Sequence, residues 1–291
     1  MIVFGRATPL VNHGSLTGAT SLDAVTTPDW RPRLIALDID GTIARMGENE
    51  IAPAVRAAIR RAVGHGAHVV LSTGRSLTGT RAIADSLGLE NTTVLCSNGA
   101  VWWDTTTKTV VKHSTFDTRG VMDRLVGLLP GAVYGAELTG VGNLMFGRFP
   151  DGDLWGHLRD VDLEEFVAEP TPRLVCRWLG HTPEEMALAL LDVDLPGAHW
   201  TIDHTLAWLT AGPVGVTKGA ELEALRVRLG VPAEDTLAIG DGSNDVEMLR
   251  WAAHGVAMGQ APAVVQQSAD AVTGTVFEDG AADVLDLYFP G

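Results

Sequence analysis

Cysteine is scarce in this chain, with 2 among 291 residues, Cys96 and Cys176. Both stand in apolar, strand-like runs, so they read as buried free thiols rather than as a disulfide, which suits a reducing cytoplasm. Basic residues are outnumbered, 21 against 36 acidic, for a formal net charge of -15. Nucleic-acid binding driven by phosphate contacts needs a basic surface, and this balance argues against it. It also weighs against an anionic substrate, unless a metal and a few local cations reverse the field at the site. No apolar run approaches the ~18 residues of a membrane span. The opening Met1-Ile2-Val3-Phe4-Gly5-Arg6 lacks a basic region followed by an apolar core, so no secretory signal is read and the expected location is cytoplasmic. Internal repeats and low-complexity tracts are missing too. What is present is ordinary for a soluble globular protein, 46% hydrophobic and 20% charged residues. The length allows one large α/β domain or two smaller ones.

The chain then follows a strand–helix rhythm. Leu34-Ile35-Ala36-Leu37 reads as a short buried strand that ends at Asp38, Asp40 and Gly41. Val55, Ala58, Ile59, Ala62 and Val63 form the stripe of an amphipathic helix, with Pro53 in its first turn and Gly64 past its end. His68 to Ser72 is a second strand, ending in Thr73-Gly74-Arg75. A helix from about Ser76 to Leu87 stops at Gly88, and Thr93 to Cys96 is a third strand, ending in Ser97-Asn98-Gly99. This alternation implies a parallel, doubly wound sheet. From 101 to 209 the grammar changes to short strands with helices near Thr118–Leu129 and Pro183–Leu191, which suggests a separate α+β unit. The rhythm resumes after a hinge at 210–215. A helix spans Lys218 to Leu229, and the strand Thr236–Ile239 ends in Gly240-Asp241-Gly242-Ser243-Asn244-Asp245. The expected fold class is therefore α/β, a doubly wound Rossmann-like parallel core with an inserted α+β cap domain. Residues 1–32 read as an extended or poorly ordered leader, 33–100 and 210–291 as the core, and 101–209 as the insert.

Ligands collect at the carboxyl ends of strands in such sheets. There stand Asp38 with Asp40, Thr73 with Gly74, and Asp241 with Asn244 and Asp245, while Lys218 opens a nearby helix. Paired carboxylates can hold a hard cation such as Mg2+ through oxygen ligands. Each residue also has an ordinary alternative: Thr73 as a helix cap, Lys218 as a solvated lysine, Asp241-Gly242 as a turn, and Asn244 and Asp245 as helix-start residues.

Taken in order, these stretches resemble the haloacid dehalogenase superfamily of phosphatases, and its Cof-like branch more closely. L-D-I-D-G-T is similar to the first motif, L-S-T-G-R at 71–75 to the second, G-V-T-K-G at 215–219 to the third and G-D-G-S-N-D at 240–245 to the fourth. C-S-N-G-A at 96–100 and G-V-A-M-G at 255–259 agree as well. The resemblance covers about 33–290, and the insert falls where that branch carries its α/β cap. It implies a Mg2+-dependent phosphatase of small phosphorylated metabolites, such as sugar phosphates, working through an aspartyl-phosphate. Asp38 would be the nucleophile, and Asp40 the acid and then the base, with its main-chain carbonyl toward the metal. Asp38, Asp40, Asp241 and Asp245 would form the metal site. Thr73, Gly74 and Lys218 would hold the phosphoryl oxygens, with Asn244 and Asn98 at the substrate. The partner would be a small phosphorylated metabolite, with no nucleic acid and no membrane.

Two rivals remain at this level: a phosphosugar mutase on the same fold, and a catalytically silent metabolite-binding or receiver-like module. A receiver would not need the large insert or the second acidic cluster. The cap is expected to set specificity, but Arg148, Arg173, Arg177 and His204 within it each read as ordinary surface or sheet residues. Oligomeric state is not legible.

Overall fold

The computed structural model describes Thr20, Ser21 and residues 30–291. The remainder of the 1–32 leader lies outside the described residues. Among the described residues, contacts divide the chain into two units, one built from those between Thr20 and Lys112 together with Thr217–Gly291, the other from His113–Val216.

The first unit is a parallel sheet. Its strands are β1 (Thr20–Ser21), β2 (Leu34–Leu37), β3 (His68–Leu71), β13 (Thr236–Gly240), β14 (His254–Ala257) and β15 (Ala271–Val272). They run in the order β1-β15-β14-β13-β2-β3. Side chains alternate across β2 as the pleat requires. Ile35 and Leu37 pack in one core layer with Val55, Ala58 and Ile59 of α1 (Pro53–Gly64), Ile83 of α2 (Leu77–Leu87) and Val284 and Leu285 of α8 (Gly280–Tyr288). Leu34 and Ala36 face the opposite layer, with Leu222 and Leu225 of α6 (Lys218–Leu229) and Met248 and Leu249 of α7 (Val246–Trp251). Both faces are thus covered, which is why these strands read as continuous apolar runs. The order reverses between β2 and β13: one half of the unit winds outward from β2 through β3, the other from β13 through β14. Such a switch point leaves a crevice at the carboxyl ends.

Beyond β3, Thr73 N–H donates to Leu95 O at 2.8 Å, which joins β4 (Thr93–Cys96) to the sheet edge. β5 (Val101–Asp104) then pairs antiparallel with β4, and β6 (Thr109–His113) follows it. The sequence suggested that the insert begins at 101. The contact division instead keeps 101–112 with the core, because Trp103 packs in one of its layers and Trp102 in the other.

The second unit is a mixed sheet in the order β11-β12-β10-β7-β8-β9. Its strands are β7 (Val133–Leu138), β8 (Gly142–Phe146), β9 (His157–Asp160), β10 (Leu174–Arg177), β11 (Ala198–Ile202) and β12 (Trp208–Pro213). One face packs against Val121, Met122 and Leu125 of α3 (Arg119–Leu128), Phe166 of α4 (Leu163–Phe166) and Met186 of α5 (Pro183–Ala189). Part of the other face is covered by Phe149 and Leu154 of the β8–β9 connection. Cys96 and Cys176 are both buried and neither stands in a disulfide, and burial pushes the Cys176 thiol up to about 12. Among the described residues, no helix is long and apolar enough to cross a membrane.

Candidate active site

Asp38 is the first residue past β2, and its N–H donates to Ile239 O of β13 at 3.0 Å, so the ladder itself fixes its backbone. Asp241 follows β13 directly. Lys218 opens α6, whose N-cap is Thr217, with Ala220 N–H donating to the Thr217 hydroxyl at 3.2 Å. Strand ends at the switch point and one capped helix start therefore bring together residues about 200 positions apart.

The contacts are short and buried. Lys218 Nζ donates to Asp38 Oδ1 and to Asp245 Oδ1, each at 2.6 Å. The lysine side chain has 0% exposure and Asp245 likewise. Asp245 Oδ2 accepts the Asp241 and Gly242 N–H groups at 3.0 and 2.8 Å. One ligand atom each from Asp38, Asp241 and Asp245 lies within 4.8 Å of the others. Lys218 is thus no solvated lysine. Burial of an unpaired ammonium would be prohibitive, and two carboxylates offset that cost.

Electrostatics follow from the count of one cation among three carboxylates. Burial, reinforced by Asp245, raises Asp38 to about 7 in spite of Lys218. Burial together with the Asp38 and Asp245 charges raises Asp241 to about 8. For Lys218, burial pulls downward, but the Asp245 and Asp38 carboxylates outweigh it and the ammonium is held firmly charged. A hard divalent cation fits this chemistry: the donors are carboxylate oxygens, and the surplus negative charge is what such an ion would neutralise. Gln260 steadies one of these donors, its Nε2 reaching Asp241 Oδ2 at 3.2 Å and also Gly41 O. Gly41 has φ +78°, and a Cβ there would stand 2.0 Å from Asp241 Oδ2, so no side chain is tolerated beside this carboxylate.

Asp40 departs from the cluster. Its carboxylate is held by Arg75, with Nε to Oδ2 at 2.7 Å and Nη2 to Oδ1 at 2.6 Å. Thr73 is buried, and Arg75 N–H donates to its hydroxyl at 3.1 Å. It is not the helix cap, because Ser76 caps α2 by accepting from Gly79 N–H. Gly74 stands against two amides. A Cβ there would lie 3.3 Å from both Asn244 Nδ2 and Asn98 Oδ1, which are themselves joined by a 2.9 Å hydrogen bond. Asn98 and Ser97 both adopt positive φ, 55° and 53°, a backbone cost that proteins retain where neighbours over-determine it. Here the neighbours are Thr73 O and Arg75 O, which accept the Asn98 and Ser97 N–H groups at 2.8 Å each. Arg75 and Gln260 have no role that the sequence alone assigns: Arg75 closes the L-S-T-G-R motif, while Gln260 carries no signal beyond following G-V-A-M-G.

The family described as haloacid dehalogenase-like hydrolase matches residues 35–127 and 207–285. Among curated relatives, the 5-amino-6-(5-phospho-D-ribitylamino)uracil phosphatase YcsE of Bacillus subtilis (strain 168) is 28% identical over 261 residues, covering 87% of this chain and 94% of the relative. The pyridoxal phosphate phosphatase YbhA of Escherichia coli (strain K12) is 27% identical over 271 residues, covering 87% and 97%. The solved structure of the HAD subclass IIB sugar phosphatase BT4131 superposes with a TM-score of 0.72 at 23% identity, covering 86% of this chain and 96% of that one, which shows a shared fold. With its strand-end carboxylates, buried lysine and family match across both halves of the core, the chain belongs to the haloacid dehalogenase-like hydrolases.

Proposed function

We propose that this hydrolase, a phosphatase of its family, cleaves small phosphomonoesters, sugar phosphates or related metabolites, through an aspartyl-phosphate on Asp38 with Mg2+ as cofactor. The observation that carries the reading is Lys218, fully buried and shared by Asp38 and Asp245. A lysine so placed orients a carboxylate nucleophile and offers positive charge to the phosphoryl oxygens. Asp38 attacks phosphorus. Asp40 delivers the proton to the leaving alcohol and then takes one from the hydrolytic water. The Thr73 hydroxyl, the Gly74 amide and Lys218 bind phosphoryl oxygens, while Asn98 and Asn244 bound the substrate side of that pocket. Asp38 and Asp241 would hold Mg2+ directly, with the Asp40 main-chain carbonyl toward it and Asp245 and Asn244 supporting from behind. When bound, Mg2+ supplies charge neutralisation between carboxylate and phosphate. Asp245 already accepts from Lys218 and two amides, which favours this supporting place for it. The relatives' substrates, a phosphorylated ribitylaminouracil and pyridoxal phosphate, support a small phosphorylated metabolite as the class.

The test is phosphate release by the purified protein from sugar phosphates, nucleotides, pyridoxal phosphate and para-nitrophenyl phosphate, with Mg2+ or with chelator. Release that requires Mg2+ and is lost in Asp38→Asn is the expected result. No release from folded, Mg2+-supplied protein across the panel overturns it.

A further inference from the structure

Arg75 has no part in the steps above, yet its bonding is complete. Its side chain is 2% exposed. Nε donates to Asp40 Oδ2, and Nη2 to Asp40 Oδ1 and Glu48 O, at 2.7, 2.6 and 2.7 Å. Nη1 donates to Asn49 Oδ1 at 2.7 Å and Gly79 O at 3.4 Å. Five N–H groups therefore meet five acceptors, a fit that only a planar guanidinium can make. The arrangement ties Asp40 to the segment 47–49 that follows it and to the first turn of α2.

The count on Asp40 is more telling. A carboxylate has about four lone-pair positions, two on each oxygen. Oδ1 accepts from Arg75 Nη2 and from Gly47 N–H at 3.0 Å, so both of its positions are used. Oδ2 accepts only from Arg75 Nε among the described residues. One lone pair on one oxygen is left.

We propose that Arg75 is a positioning residue which, with the Gly47 amide, fixes Asp40 so that Oδ2 is the atom through which protons move. The inference rests on Asp40 being the acid and base of the proposed reaction. In the first half, an Asp38 oxygen bonds to phosphorus, the ester P–O bond breaks, and the proton on Asp40 Oδ2 passes to the departing oxygen. In the second, the water oxygen bonds to phosphorus while one water proton returns to Oδ2. The bond between phosphorus and the Asp38 oxygen breaks, freeing phosphate and the carboxylate. Arg75 keeps its two hydrogen bonds to Asp40 throughout, so neither proton transfer waits on a side-chain rotation.

The experiment uses leaving-group dependence. Arg75→Ala, Arg75→Lys and Asp40→Asn are assayed for kcat/KM on the sugar phosphate that wild type hydrolyses fastest and on para-nitrophenyl phosphate, whose phenolate departs without a proton. The expected result is a fall of about 10²-fold in the ratio of the two constants for Asp40→Asn and Arg75→Ala. Arg75→Lys recovers part of that ratio. A burst of nitrophenol ahead of phosphate in Arg75→Ala marks the second transfer as impaired too. Equal losses on both esters, or no loss on either, in a variant with native circular dichroism would overturn the role of Arg75. Should Arg75→Ala fail to fold, Arg75→Lys is read by the same ratio. If Asp40→Asn leaves the ratio at the wild-type value, the underlying assignment of Asp40 fails, an outcome distinct from failure of Arg75 alone.

Discussion

The core and the insert are both layers of sheet and helix, and they bury their polar residues in different ways. In the core, buried charge is gathered at the carboxyl ends of β2 and β13 and at the start of α6, and Lys218 donates to both Asp38 and Asp245. In the insert, buried polar residues lie in a row across strands. Asn143 of β8 stands in register with Glu137 of β7, and Glu137 N–H donates to the carbonyl of Arg173, which precedes β10, at 2.9 Å. All three are buried. Asn143 Nδ2 donates to Trp155 O, while its Oδ1 has no partner among the described residues. A parallel sheet concentrates chemistry within a few residues of each strand end, so its site is written as short motifs. A mixed sheet builds a polar row from one residue per strand, and no motif records it.

The contrast can be broken in graded steps. The largest effect belongs to the core: Asp38→Asn should lower kcat by about 10⁴–10⁶-fold with KM far less affected, as loss of a nucleophile does. Steady-state kinetics with Mg2+ decide this, and a loss of under tenfold would remove Asp38 from the nucleophile's place. Next is stability. Lys218→Met leaves three buried carboxylates without their cation, and removal of one partner of a buried pair costs about 3–5 kcal/mol. The melting temperature should fall more in chelator than in Mg2+, whereas equal falls would mean that lysine and metal do not share this charge.

The insert offers the matching test. Leu125→Ala removes a fully buried side chain of α3, at about 2–5 kcal/mol. If the two units unfold separately, calorimetry will show one transition moved and the other left in place. A single transition shifting as a whole would mean the units melt together.

The smallest effect is a pH dependence peculiar to the core. Asp38 and Asp241 are raised to about 7 and about 8 in the folded chain, against ~3.9 for an ordinary aspartate when unfolded. Between those values the folded state holds protons that the unfolded state releases, so stability is present at lower pH and lost as pH rises. Metal-free protein should therefore melt at a lower temperature at pH 8 than at pH 5.5. Added Mg2+ should raise the melting temperature more at pH 8. A melting temperature that climbs with pH in chelator would contradict this account of the carboxylate cluster.

These differences also explain what could be read from the chain alone. β2, β3 and β13 were legible because burial on both faces leaves uninterrupted apolar runs, and α6 because Thr217 caps it and Gly230 closes it in a left-handed conformation. The place of Lys218 was ambiguous in sequence, since only the fold brings Asp38 and Asp245 to it from 180 and 27 residues away. Val101-Trp102-Trp103 reads with the insert in sequence because such short aromatic runs break the strand–helix rhythm. The alternation of the two tryptophans into the two core layers needs the sheet to exist first. Arg75 was hidden for a similar reason, as four of its five acceptors belong to residues 40–49, on the far side of α1 in sequence.

The register of β2 on β13, Leu34 opposite Thr236 through Leu37 opposite Ile239, bears on how this protein is made. Two adjacent strands that lead into the acidic residues are separated by the whole insert, so a nascent chain can complete β2, β3 and the insert before the acidic cluster exists. Contacts of such span slow folding, because their closure must precede any reward. Yet the entropy of closing a loop grows only logarithmically, about 0.6 kcal/mol for each doubling of length. An insert of this size therefore burdens the closure little, and an insert that folds early on its own shortens the free chain still to be gathered. The chain can thus accept large changes in its inserted unit while the pairing that gathers its acidic cluster stays within reach.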